Sequence, residues 1–173
     1  MKKGYFGVFL LVFALIACGC VGAGCGRETQ ATARATIAEV FPMTVGDAKI
    51  SVHVAVSQIE QEKGLMFRTE LADNVGMIFA YKEPQKMHYW MKNVPIPLSI
   101  GFFKADGTLA EIRAMFPNDT STISSSGDDI KFVLEMNEGW FARHNVRPGD
   151  RLDLALLAKA LELRGEEPAD YGL

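Results

Sequence analysis

The chain has 173 residues and a formal net charge of −3, which excludes the basic footprint of a nucleic-acid-binding surface. Its three cysteines, Cys18, Cys20 and Cys25, all precede Gly26, so the rest of the chain can hold no disulfide, thiol nucleophile or cysteine-ligated zinc. Setting aside a leader and a tail leaves about 110 to 120 residues, enough to bury one core in a single domain.

Met1-Lys2-Lys3-Gly4 is a short positive start, and Tyr5 to Ala17 follows without a charge. As a helix that run spans about 20 Å, short of the roughly 30 Å hydrocarbon core. Residues 1–17 are therefore expected to be a signal peptide rather than a permanent span. Leu15-Ile16-Ala17-Cys18 resembles a bacterial lipobox, which makes Cys18 the expected lipidation site. Ordinary cleavage after Ala23 and an uncleaved anchor are the rivals. Several acyl chains on one cysteine anchor stably where a single chain is marginal. The expected location is the cell envelope, exported and membrane-anchored on the extracytoplasmic side. Cys20 and Cys25 would remain free or pair in an oxidising compartment. Residues 18–38 are polar, small and aperiodic, and are expected to form a flexible tether.

Residues 39–156 read as the domain. Val40 to Val45 and Lys49 to Val56 predict a hairpin around Gly46-Asp47. In its second strand Ile50, Val52, Val54 and Val56 point one way, and Ser51 and His53 the other. Ser57-Gln58-Ile59-Glu60 spells a capping box, with Gly64 closing a short helix. Val75 to Tyr81, Met87 to Met91, Leu98 to Phe103 and Thr108 to Met115 follow as short apolar runs, with Asp106-Gly107 as a turn. Pro95 and Pro97 place Ile96 in a loop or at an edge. Ile130 to Met136 alternates, with Ile130, Phe132, Leu134 and Met136 on one face. Asn137 is expected to cap a helix from Glu138 to His144. Pro148-Gly149-Asp150 turns the chain into a last strand, Arg151 to Leu156. From Ala155 to Arg164 the chain could instead continue as an amphipathic helix, which would carry helix into the tail, residues 157–173. This spacing predicts a mainly β, compact domain, a sandwich or barrel-like sheet with one or two short helices.

Five blocks carry a family resemblance: Gly64-Leu65-Met66-Phe67-Arg68, Gly76-Met77-Ile78-Phe79, Trp90 to Leu98, Phe132-Val133-Leu134-Glu135 with Gly139-Trp140, and Gly149-Asp150. Their order and spacing over roughly Lys49 to Leu154 resemble the bacterial and archaeal domain of unknown function 192. The resemblance implies a compact, mainly β domain, often behind a signal peptide. It implies no reaction and no catalytic residue. The chain departs from the family pattern at Ser99, where similar sequences carry an acidic residue. It also departs in the Ser/Thr-rich loop from Asn118 to Asp129, where relatives often carry cysteines.

Candidate chemistry follows from side-chain type. On a strand, His88, Trp90 and Lys92 would share one face. With Asn93 they could hold a ligand by stacking and hydrogen bonds, unless Trp90 fills the core instead. Met66, Met77, Met87, Met91, Met115 and Met136 with His88 are soft ligands suited to Cu(I), but methionine more often fills irregular cores. His53, His88 and His144 lie too far apart in sequence to suggest zinc. Ser124-Ser125-Ser126 lacks the elbow motif of a nucleophilic serine. Arg68, Glu70 and Glu135 suggest a polar cluster or a structural ion pair. No metal or cofactor is expected. The leading expectation is an anchored domain that binds a small polar ligand or an envelope protein partner through Trp90, Lys92, Asn93, His88 and Arg68. The alternatives are an envelope hydrolase and a structural lipoprotein without a ligand.

Overall fold

The computed structural model describes residues 34–173. The expected signal peptide, Cys18 and the other two cysteines lie outside the described residues. The chain enters a hairpin of β1 (Phe41–Val45) and β2 (Ala48–Ala55). Val45 pairs with Ala48 across Gly46-Asp47. Gly46 has φ +55°, the left-handed backbone that a two-residue turn needs. Ile50, Val52 and Val54 of β2 enter one apolar cluster, while His53 points to the opposite face.

α1 (Gln58–Lys63) carries the chain across from β2 to a parallel neighbour, β3 (Val75–Gln85). The capping box is complete: the Glu60 amide donates to Ser57 Oγ at 3.3 Å, and the Ser57 amide donates to Glu60 Oε2 at 3.0 Å. After β4 (His88–Tyr89) come β5 (Leu98–Lys104), β6 (Leu109–Met115), β7 (Ile123–Ser124) and β8 (Ile130–Asn137). Six strands form one sheet in the order β1-β2-β3-β8-β5-β6, and β4 pairs with β7 in a separate small ribbon. The domain is mainly β, and its large sheet is open, with β1 and β6 as edges.

Both faces of the sheet are covered. That is why β8, between β3 and β5, is buried from Ile130 to Met136. One face packs against α2 (Trp140–Arg143), α3 (Leu154–Leu163) and a 3-10 turn, Pro168–Tyr171. The other is covered by Leu65, Met87, Tyr89, Met91 and Val94, carried by the α1–β3 connection and by the chain around β4. Met77, Met87, Met91, Met115 and Met136 are all buried core residues. Ile130 joins the opposite cluster from Phe132, because the register shifts at that end of β8.

Three local expectations are corrected. The segment from Arg151 makes only isolated bridges, Val45 to Leu152 and Thr108 to Arg151, before α3 begins. Asp153 ends it, because Asp153 Oδ1 accepts from the amides of Ala155 and Leu156 at 3.0 Å each and so starts a helix. Asn137 caps no helix: its amide donates to the carbonyls of Leu71 and Ala72. α2 starts instead behind Gly139 at φ +69°, whose amide donates to the buried Ser99 hydroxyl at 2.9 Å. The core indole is Trp140, fully buried and donating to Asn74 Oδ1 at 3.0 Å, whereas Trp90 is 49% exposed.

Candidate functional site

The covering layer over the second face leaves a gap between α1 and the chain around β4. The gap is a cavity of about 200 Å³, below the roughly 300–1,000 Å³ of sites for drug-sized ligands. Phe79 and Tyr81 of β3, Tyr89 of β4, Leu65, Val94 and Glu135 line it. Gln58, Glu62, Lys63, His88 and Trp90, all exposed, also line it and form its mouth.

Strand alternation explains why an acid lies inside. Val133 and Glu135 share the face of β8 opposite Phe132 and Leu134. Glu135 pairs in register with Met77 of β3 and Ile100 of β5, so both of its strand neighbours are apolar. It is 5% exposed. No hydrogen bond or opposite charge supports its carboxyl among the described residues, and burial alone pushes it from about 4.5 up to about 8. No side-chain nitrogen or oxygen among the described residues is both sealed off and unpaired. The unpaired Glu135 carboxyl therefore keeps its opening, and the opening is the cavity.

The aromatic wall beside it is fixed. The Tyr81 and Tyr89 hydroxyls share a hydrogen bond of 2.9 Å. Tyr89 also meets Phe79 edge-on at 5.2 Å and Phe102 edge-on at 6.2 Å between ring centroids. Burial raises both tyrosine hydroxyls above their usual range, Tyr89 by more, so both stay neutral. Gln61 reaches across to donate to the Ala80 carbonyl at 2.9 Å, which locks α1 to β3. Gly64 is required at the bend: its φ is +45°, and a Cβ there would touch the Phe79 ring at 3.4 Å.

Of the residues singled out by sequence, His88 and Trp90 line the cavity, and Lys92, Asn93 and Arg68 do not. β4 ends at Tyr89, so His88, Trp90 and Lys92 share no continuous strand face. The chain turns instead: the Val94 amide donates to the Met91 carbonyl at 3.1 Å, and the Asn93 carbonyl accepts from the Phe67 amide at 2.7 Å. Asn93 and Phe67 both sit at positive φ, +60° and +65°. For a ring as large as Phe67, 70% exposed, that backbone is strained. No ion pair among the described residues joins Arg68 to Glu70 or Glu135, so the expected polar cluster is not formed. Burial first, then the Arg68 charge, lowers the His53 imidazole, whose Nδ1 lies 2.9 Å from the Ile37 carbonyl oxygen. The serine-rich loop is tied down rather than loose. Ser125 Oγ accepts from the Met87 amide at 2.9 Å and donates to the Gly127 carbonyl at 2.7 Å. Ser124 Oγ lies 2.8 Å from His88 Nδ1.

Sequence reasoning missed Glu135 as a cavity residue, along with Phe79, Tyr81 and Tyr89. A signal was present. Ile130 to Met136 holds Val133 between Phe132 and Leu134, so the strand is apolar on both faces and Glu135 falls on one that must be covered.

A solved structure of a protein of unknown function from Novosphingobium aromaticivorans DSM 12444 matches with a TM-score of 0.63 and 37% identity, over 66% of this chain and 84% of that one. A candidate transcription regulator from Sinorhizobium meliloti 1021 also matches at a TM-score of 0.63, with 33% identity over 66% of this chain and 93% of that one. No curated protein matches the sequence. The family model of DUF192, described as an uncharacterized ACR, spans residues 41–154. That stretch runs from β1 through β8 to the Asp153 cap and contains every strand of the described residues and the whole cavity lining, so the chain belongs to the DUF192 family.

Proposed function

We propose that this protein is a lipid-anchored envelope lipoprotein whose β domain binds a small polar ligand in the cavity over Glu135. One observation carries the reading: a side chain 95% buried (5% exposed) ends, unpaired, in a small cavity with a rigid aromatic wall. Burying a polar group without a partner costs about 1–3 kcal/mol, and a ligand that pairs with Glu135 recovers it. The Trp90 ring at the mouth is an exposed hydrophobic surface next to that opening. The net charge of −3 gives no support for a regulator acting on nucleic acid.

The test is a calorimetric and fluorescence screen of the folded, intact chain against small sugars, alcohols, amino acids and amines. The expected result is a ligand whose affinity falls on Trp90→Ala and on Tyr81→Ala. An empty screen, or binding unaffected by both substitutions, overturns the reading. The anchor has its own test: Cys18→Ser should release the protein from the membrane fraction and abolish labelling by radioactive palmitate.

The Ser124–His88 contact supports a second reading, a hydrolase whose serine is paired with His88, itself a residue of the cavity mouth. It predicts ester turnover that Ser124→Ala and His88→Ala each abolish with the fold intact. Turnover unchanged in both variants would sink it.

A further inference from the structure

The cavity over Glu135 has one deep ionisable group with a formal charge to offer, and that group is acidic. Phe79, Tyr81, Tyr89 and Trp90 contribute four aromatic rings to the same lining. We propose that the cavity takes a small organic cation, an alkylammonium or quaternary ammonium group, with Glu135 as its counter-ion and the aromatic rings around it. This rests on the binding reading above and adds the charge and class of the ligand.

The lining argues against other occupants. An anion would meet the Glu135 carboxyl with no buried cation to offset it, since Lys63 is exposed at the mouth. The one deep side-chain amide, Gln61, already donates to the Ala80 and Val56 carbonyls. A metal ion needs several oxygen, nitrogen or sulfur ligands, and among the described residues no three His, Cys, Asp or Glu side chains converge. An organic ammonium group needs no such shell. One carboxylate neutralises it, and aromatic rings stabilise it through their quadrupoles. The rings also need no ordering on binding, because the Tyr81–Tyr89 hydrogen bond and the Phe79–Tyr89 edge contact already hold them.

Charge balance gives the inference its signature. In the empty cavity the neutral acid is favoured, because nothing beside it is positive. Tyr81 and Tyr89 face it as neutral hydroxyls, Met77 and Ile100 flank it, and Glu62, Lys63 and His88 lie at the mouth. A cation entering this site displaces the Glu135 proton to solvent, so one positive charge replaces another.

The experiment titrates the intact chain by calorimetry with choline and with its uncharged isostere, 3,3-dimethylbutan-1-ol. Choline is expected to bind at least about tenfold more tightly. Its affinity should rise on the order of a hundredfold from about pH 6 to about pH 9 and level off as Glu135 ionises near 8. Glu135→Gln should remove both the preference and the slope, and His88→Gln, run in parallel, subtracts any histidine contribution. Trp90→Ala, at a ring that is 49% exposed, should weaken choline about two- to fivefold. Equal binding of the two probes, or choline affinity unmoved in folded Glu135→Gln, overturns the cation assignment and leaves the cavity as a binding site. Binding of neither probe also overturns it, and the binding reading falls as well only if the screen of sugars, alcohols, amino acids and amines is empty too.

Discussion

Moving Glu135 from water to the covered face of the sheet favours its protonated form, and that preference is a stability term. The folded carboxyl titrates near 8 against about 4.5 when exposed. Between those values the folded state holds more protons than the unfolded state, so stability falls as pH rises through this window. The total is on the order of a few kcal/mol. Glu135→Gln should therefore flatten the dependence and be more stable than the parent at about pH 8 and above, read as urea midpoints across the range. Carboxyls lowered in the fold, such as Asp106 and Asp119, act in the opposite sense at acid pH, and comparison with the variant cancels them. Parallel curves for the two proteins would show that Glu135 is not desolvated. Gly76 beneath it supplies a second test. A Cβ there would lie 2.5 Å from the Glu135 backbone carbonyl and would press on Met136 Sδ. Gly76→Ala should cost about 1–3 kcal/mol or more by overpacking, seen as a lower midpoint with unchanged slope. At this scale the sequence marked Gly76 and Glu135 as members of recurring blocks. It did not mark their purpose, because a cavity is made by residues that only the fold brings together.

The elements were more legible where a local rule decides and less where a tertiary contact does. Ser57, Glu60 and Gly64 specify α1 from within ten residues, and the helix forms where they place it. Asn137 had the right chemistry for a cap, yet its amide is used on Leu71 and Ala72, far away in sequence. His88 to Lys92 had the period of a strand, but turn contacts end it at Tyr89. The capping box itself has a distant partner that no local rule shows. Arg164, with a side chain 6% exposed, pairs with Glu60 and donates to the carbonyls of Val54 at 3.2 Å and Ala35 at 2.7 Å. Burial opposes the Glu60 charge, but the Ser57 and Val56 amides and Arg164 outweigh it and hold the carboxyl below its usual range. Glu60 therefore contributes stability above its ordinary titration range, and that contribution is lost as pH falls through its folded value. Ser57→Ala should cost about 1 kcal/mol. Arg164→Met should cost about 2–4 kcal/mol, since it removes the cation paired with Glu60 and a donor to each of two carbonyls, and should shrink the acid-side loss of stability. If the two substitutions prove strictly additive in a double-mutant cycle, the cap and the guanidinium do not act as one network.

At the scale of the whole molecule, the two faces of the sheet have different tasks. The face over Glu135 is closed by loops and the small ribbon, and it keeps a gap. The opposite face is closed by helices, and its cavity of about 300 Å³ beside α2 is lined by Ser99, Ile112, Phe141 and Val146, with no buried acid or base in its lining. The helical face is completed late in the chain: Leu157, Ala160 and Leu161 of α3 and Tyr171 of the 3-10 turn are all buried there. It is also fastened to the start of the described residues, where the Ala35 amide donates to the Leu163 carbonyl at 2.9 Å. A chain that stops at Leu156 would thus retain every strand but leave Phe41, Val52, Phe132 and Trp140 short of cover. Each large aliphatic or aromatic side chain so exposed forfeits about 1.5–3 kcal/mol. Four or five of them equal the whole 5–15 kcal/mol that a domain of this size commands. The truncated chain should show no cooperative urea transition and should bind ANS, while a chain spanning residues 34–173 should unfold in one step. A cooperative transition retained after truncation at Leu156 would mean that the helical layer is an accessory to the sheet. Loss of the transition would mean that the platform holding Glu135 in place depends on a layer on the far side of the sheet, so that substitutions in α3 should weaken ligand binding without touching the cavity.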